Sequence, residues 1–353
     1  MEDDVKISKR KPSYPVSSEL DSYLSNYRRN INLPIFYEDL LRFQGSVIVY
    51  DDNDEDTLWI RVYYSDSDRD EIDNSLKKVY SYLVSDGGDW ILKYLNVDAI
   101  DYCTFGNSKP FRIKVRNILN DNFTYFYVKK ADASRIYGLE LEHMLSPYNL
   151  NFLVCRDTLI EEHIAGIPGD EFIKNSLKDR SSSEKAQIAK EFIKFNERCT
   201  ITLLGDMRSY NYVIIPIHDF DQVIFKIRAI DFDQQSYEGN LKIYMPQFFK
   251  ENYKMVKMVQ DKIQEESIEQ YKIEERSIVA KRIISYKDRL NALLDCMESD
   301  EISTQNHIDR LKEEIYNYSH DKNFRSCKSM GEIVKNILIF VKRNYENVST
   351  KRL

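Results

Sequence analysis

The sequence predicts an α+β fold in two lobes, one built on an antiparallel sheet and one helical, preceded by a small α/β module. Three observations lead there. Residues 99–164 read as three strands, a helix and two more strands. From residue 246 to the end only helical apolar stripes occur. Ahead of both, residues 31–95 hold two strand patterns and one helix pattern. A chain of 353 residues suits two lobes plus an extra module better than one small core.

Residues 1–30 are polar, contain Pro12 and Pro15, and read as an extended or partly ordered arm. SVIVY (46–50) and TLWIRVYY (57–64) read as strands. In the second, Leu58, Ile60, Val62 and Tyr64 recur with the period of two that a pleated strand requires. DDNDED (51–56) joins them. Its alternating acids resemble a calcium loop, but Asp56 stands where the EF-hand turn needs glycine, so a solvated hairpin tip is the better reading. Ile72, Leu76, Val79, Tyr80 and Leu83 form one stripe of a helix over 68–84, which Gly87-Gly88 breaks.

Next come three strands, AIDYCTF (99–105), PFRIKV (110–115) and FTYFYVKK (123–130). A helix over 135–148 follows, then two strands in NFLVCRD and TLIEEHI. After AGIPGDEF the chain turns helical over 171–178 and 184–197. YVIIPI and QVIFKIRAI pair around the turn HDFD (218–221). The helical remainder shows stripes at Ile308, Leu311 and Ile315 and at Ile333, Ile337 and Val341. The charged run 257–276 reads first as a solvated helix face and second as a partner-binding helix. The expected divisions are 1–95 (arm and α/β module), 96–164 (sheet lobe) and 165–353 (helical lobe).

Composition narrows the functions. Net charge is −7, without the basic excess that marks nucleic-acid binders. MEDDVKISKRKPSY has no apolar core of a secretory signal, and no apolar run reaches the roughly 20 residues of a membrane helix. Five cysteines, well separated and never in CxxC, fit a reducing compartment, so a cytoplasmic location is expected. The five histidines are scattered, without HExxH, which argues against a His/Cys metal centre.

The remaining signal is an ordered set of charged residues. FYVKK offers Lys129 and Lys130, which alternation sends to opposite faces. The next helix carries Glu140 and Glu142, either able to pair with the inward lysine. Glu140 is favoured because Met144, one turn on, can enter the core. TLIEEHIAGIPGDEF is an extended connection whose backbone, at Glu162 and Ile164, could meet a purine edge. LLGDMRSYN sets Asp206 five residues before Asn211. Twenty residues later IRAIDFDQQ ends an apolar strand at Asp231, with Asp233 just beyond. An acid beside an apolar strand is costly to leave unpaired and points to a ligand.

In this order the chain resembles the protein-kinase-like superfamily, over about residues 99–235. It is most similar to its atypical and small-molecule branches: aminoglycoside phosphotransferase-like, HipA-like and phosphoinositide-kinase-like. LGD-x-x-x-x-N resembles LGDRHxxN and HGDxxxxN, and IDFD resembles IDFG or IDxE. The resemblance implies a two-lobed protein-kinase-like fold and an ATP- and Mg²⁺- (or Mn²⁺-) dependent phosphotransferase. It implies Asp206 as the acid that takes the acceptor's proton, and Asn211 and Asp231, assisted by Asp233, as metal ligands. A lysine from 129/130, paired to a glutamate, would hold the phosphates. Gly106, Ser108 and Lys109 would touch phosphate. The departures are Leu204 in place of the histidine of HGD, Asp233 in place of the glycine of DFG, a glycine-poor nucleotide loop, and no APE-like motif. Without a peptide platform, small-molecule and lipid head-group hydroxyls stand beside protein as acceptors. A nucleotide-binding or inactive pseudokinase that acts as a binding or regulatory protein is the alternative, with a protein partner at 31–95 or 257–276.

Overall fold

The computed structural model describes residues 11–51, 54–85, 87–105, 108–220 and 222–350. The chain divides into two interleaved units. The first comprises residues up to Ala133 together with Leu150–His163; the second comprises Ser134–Asn149 and Ile164 onward.

In the first unit α1 (Ser18–Asn26) and α2 (Tyr37–Leu40) precede β1 (Gly45–Tyr50), β2 (Asp56–Tyr63) and α3 (Asp66–Ser85). Then follow β3 (Leu95–Cys103), β4 (Phe111–Asn117), β5 (Phe123–Lys130), β6 (Phe152–Cys155) and β7 (Thr158–Glu162). These strands form one antiparallel sheet in the order β1-β2-β3-β4-β5-β7-β6. Alternation decides its two faces. Val62, Ile100, Ile113 and Phe126 share a core with the α3 stripe of Ile72, Leu76, Val79 and Leu83. Each such side chain contributes roughly 1.5–3 kcal/mol by leaving water. The opposite register positions carry charge: Arg61 and Arg112 both bond Asp101, at 3.0 and 2.9 Å. Leu58 departs from the expected alternation. It takes φ 61° where β2 bulges, and its side chain is exposed.

The division expected at residue 95 is therefore corrected. β2 pairs with β3 from Trp59↔Cys103 to Arg61↔Asp101, so residues 31–95 belong to the sheet and core of the strands that follow. Strand β3 also begins at Leu95, four residues earlier than its alternation suggested.

The second unit contains α4 (Ala133–Leu145) from its second residue on, then β8 (Ile167–Pro168), α5 (Gly169–Glu171) and α6 (Ser182–Thr202). β9 (Tyr212–Asp219) and β10 (Gln222–Ala229) form a hairpin that β8 extends to three strands. The helix expected over 171–178 is instead single turns of different pitch running from α5 to Asp179. Helix α6 starts at a capping box: Glu184 N–H donates to the Ser181 hydroxyl and Ser181 N–H to the Glu184 carboxylate. Its buried face of Ile188, Phe192, Phe195 and Cys199 packs against α7 (Tyr253–Lys262), α8 (Glu265–Ser285) and β10. α9 (Lys287–Ser299), α10 (Gln305–Ser319) and α11 (Met330–Thr350) complete the unit. The charged run 257–276 is not one solvated face: it breaks between α7 and α8, and Glu275 is buried against Arg198. No helix among the described residues is long and apolar enough to cross a membrane.

Candidate active site

The two acidic motifs meet at one end of the β9–β10 hairpin. Because Tyr212 pairs with Ala229, the residues just before β9 and just after β10 are neighbours. Backbone bonds then zip the two loops together. Gly205 N–H donates to Gln234 C=O (3.2 Å), Ser236 N–H to Leu203 C=O (2.9 Å), and Ile230 N–H to Asn211 C=O (3.0 Å). Gly205 is required by this approach, since a β-carbon there would lie 2.9 Å from the Gln234 oxygen.

Asp206 follows in the left-handed region, φ 57°, a conformation that costs an ordinary L-residue roughly 1–2 kcal/mol. The loop offsets that cost locally. Asn211 Nδ2 donates to the Asp206 carbonyl (2.7 Å), and Arg208 Nε donates to Asp206 Oδ1 (2.8 Å). This explains the five-residue gap between acid and amide. The amide closes the loop onto the acid's own backbone, which commits its NH₂. Arg208 is itself anchored, bonding Glu251 (2.8 Å) over the ring of Phe249. Burial would lower the Arg208 pKa; its bond to Asp206 and nearby negative charge raise it instead.

The second loop is organised around Arg135 of α4, whose side chain is 2 % exposed. Its Nη2 bonds Asp231 Oδ1 at 3.0 Å and its Nε bonds Asp233 Oδ1 at 2.7 Å. Asp231 Oδ1 also accepts from the Asp233 N–H (3.0 Å), which curls the loop. Ser134 Oγ donates to Gln235 C=O (2.6 Å), and Gln235 Nε2 to Thr202 C=O (2.6 Å). Phe232 plugs the core beneath. A buried guanidinium thus holds both acids expected to bind metal.

No protein-family model matches the chain, and no curated protein does.

Among the described residues, no group of three or more His, Cys, Asp or Glu side chains is arranged to hold a metal. Magnesium does not require one, since it is usually held by one or two carboxylates plus the substrate's phosphates. Cys199, on α6 ahead of this loop, is buried, and burial pushes its thiol well up.

The other expected residues are placed as follows. Lys129 is the buried member of the lysine pair and Lys130 the exposed one. Lys129 Nζ bonds Glu161 Oε2 on β7 at 2.6 Å. Glu140, fully buried on α4, takes bonds from Arg289 Nε (3.0 Å) and Nη2 (2.7 Å). The sheet supplies a carboxylate to Lys129, and α9 supplies a guanidinium to Glu140. Met144 is buried, as the choice of Glu140 assumed. Glu142 is buried near Arg198. Burial would lower the Arg198 pKa, and the Glu275 and Glu142 charges raise it instead.

Glu162 N–H donates to Asn151 C=O (3.1 Å), a bond that a purine edge would have to replace. Ile164 is buried in the second unit. Ser108 is half-buried and Lys109 exposed, the latter at φ 38° with its carbonyl accepting from the Tyr37 hydroxyl (2.9 Å). Gly106 lies outside the described residues.

Two residues escaped the sequence reading. Arg208 sits inside the motif, two positions after its acid, and that spacing was a usable signal. Arg135 had none, because its partners lie 96 and 98 residues downstream.

Proposed function

We propose that the chain is an ATP- and divalent-metal-dependent phosphotransferase of the protein-kinase-like type. The observation that carries the reading is the zipping of the Asp206–Asn211 loop to the Asp231–Asp233 loop. Phosphoryl transfer asks little covalent chemistry of a protein. It asks for an acid at the acceptor, oxygens for a metal and charge on the phosphates. In this reading Asp206 receives the acceptor hydroxyl's proton, with the left-handed backbone and Arg208 fixing its carboxylate. Asn211 Oδ1 and Asp231, with Asp233 beside it, hold Mg²⁺ or Mn²⁺, which when bound neutralises phosphate charge. Contact of Lys129 with the phosphates belongs to the same proposal. The acceptor is a hydroxyl of a small molecule, lipid head group or protein.

A second reading has its own support. Arg135 already supplies positive charge to Asp231 and Asp233, and Arg208 to Asp206, as in a relative that has kept the loops and lost the reaction. Thermal melting with ATP, with and without Mg²⁺, tests the metal-dependent nucleotide binding that the first reading requires. A metal-dependent rise that Asp231→Asn abolishes supports the phosphotransferase. About 100-fold saturation corresponds to roughly 2.7 kcal/mol. No rise with any nucleotide supports the inactive relative.

A further inference from the structure

The seven-stranded sheet treats its two edges differently. Beside β6, Val154 N–H donates to Arg29 C=O (2.8 Å) and Ile31 N–H to Val154 C=O (3.4 Å), so the chain's own N-terminal segment covers that edge. At the other edge β1 pairs with β2 alone, and no further strand among the described residues lies beyond it. Sheet edges are normally protected by lysine, proline or a bulge that turns the strand away. GSVIVY contains neither lysine nor proline, nor any charge. The bulge of this hairpin places its extra residues, Thr57 and Leu58, in β2, so Gly45–Val49 keeps an unbroken register. The exposed strand is apolar on both faces: Val47 is 52 % exposed, Ile48 48 % and Tyr50 56 %.

We propose that β1 is a homodimerisation edge, pairing antiparallel with β1 of a second copy of this chain about a two-fold axis. Charge selects this orientation. β1 runs directly into Asp51, Asp54, Glu55 and Asp56. Parallel pairing would set two such turns side by side, and like charges there are repulsive. Antiparallel pairing separates the turns by the length of the strand, roughly 20 Å. It also brings each turn to the other copy's strand start, where Arg42 is more than half exposed and bonded to Asp39 at 3.6 Å. A two-fold contact is self-complementary, which one uncharged strand with an acid at one end and an arginine at the other satisfies. The joined edges would satisfy both rows of backbone groups and cover Val47 and Ile48 in each copy.

The test is sedimentation velocity on the full chain between about 1 and 100 μM, a range that reveals micromolar association. The wild type is expected to pass from monomer to dimer. Ile48→Lys, an exposed position where a lysine is tolerated, should stay monomeric with an unchanged melting temperature. Arg42→Glu should weaken the dimer about tenfold at low salt and less at high salt. A wild type that is monomeric throughout overturns the proposal. So does a dimer that both substitutions leave intact, which would place the interface elsewhere.

Discussion

Arg135 and Asp231 form an ion pair of 3.0 Å between a guanidinium that is almost wholly enclosed and a carboxylate that is one-third exposed. The arginine is a fixed internal counter-ion for the most prominent acid of the site, and Asp233 shares it. Removing one member of such a cluster leaves charge without compensation. Arg135→Gln should therefore lower metal-free stability by up to about 3 kcal/mol. If Asp231 binds a divalent ion, Mg²⁺ or Mn²⁺ should restore more stability to this variant than it adds to the wild type. Melting curves with and without metal measure both effects. Equal metal responses would show that the arginine does not compete for the acid.

Gly205→Ala tests whether the two loops act as one. The new methyl would meet the Gln234 carbonyl at 2.9 Å and Ile243 at 3.2 Å. Overpacking of this kind costs about 1–3 kcal/mol. Denaturation should report that loss, and nucleotide with metal should raise the melting temperature less than in the wild type. An undiminished nucleotide response would place the ligand away from these loops.

The two lysines of β5 should behave oppositely. Lys129→Met removes a buried ammonium from Glu161 and should lose the ATP-dependent thermal shift along with some basal stability. Lys130→Met, at an exposed position, should change neither. Titration calorimetry with ATP reads the difference directly, and equal ATP affinity in the two variants would remove Lys129 from the site.

Glu140 and Arg289 should show strong energetic coupling. Glu140→Ala leaves the guanidinium partly buried without that carboxylate and should cost about 3–5 kcal/mol. Adding Arg289→Met should recover part of the loss. A double-mutant cycle in urea gives the interaction term, which for a contacting charged pair lies near 0.5–3 kcal/mol. A term of zero would mean that the bidentate contact contributes nothing.

His163 should make stability fall below neutral pH. Burial, and then the charge of Arg112, hold its imidazole below the usual value of 6.5. The Tyr127 hydroxyl, pushed up to about 12 by burial, stays protonated and can donate to the neutral ring, 3.2 Å away. The unfolded state then binds the proton more readily. The contribution of His163 is complete above pH 6.5 and is lost as pH falls through that value toward the folded pKa. Melting temperature against pH should be flatter in His163→Gln over that window. Identical slopes would exclude this histidine as the cause.

Local pattern made much of the fold legible. β5 spans residues 123–130 as its composition suggested, because alternation and β-branched or aromatic content act within one strand. The α3 stripe was readable for the same reason. Pairing between distant segments was not. Nothing near Trp59 announces Cys103 as its neighbour, so local pattern alone makes the first two strands a separate module. Alternation placed Lys129 and Lys130 on opposite faces but could not say which face was covered. The acids of the site were legible as motifs, whereas the arginines that hold them became visible only when α4, β10 and the loop before β9 were brought together.

The interleaved path of the chain has a consequence for synthesis. Helix α4 leaves the ribosome between β5 and β7, yet its buried carboxylate is matched by an arginine 149 residues later. At translation rates of roughly 5–20 residues per second, Glu140 waits about 7–30 s for Arg289. Residues 1–163 contain the whole first unit and residues 134–353 the whole second, but the two spans overlap, so no single cut of the gene yields both units whole.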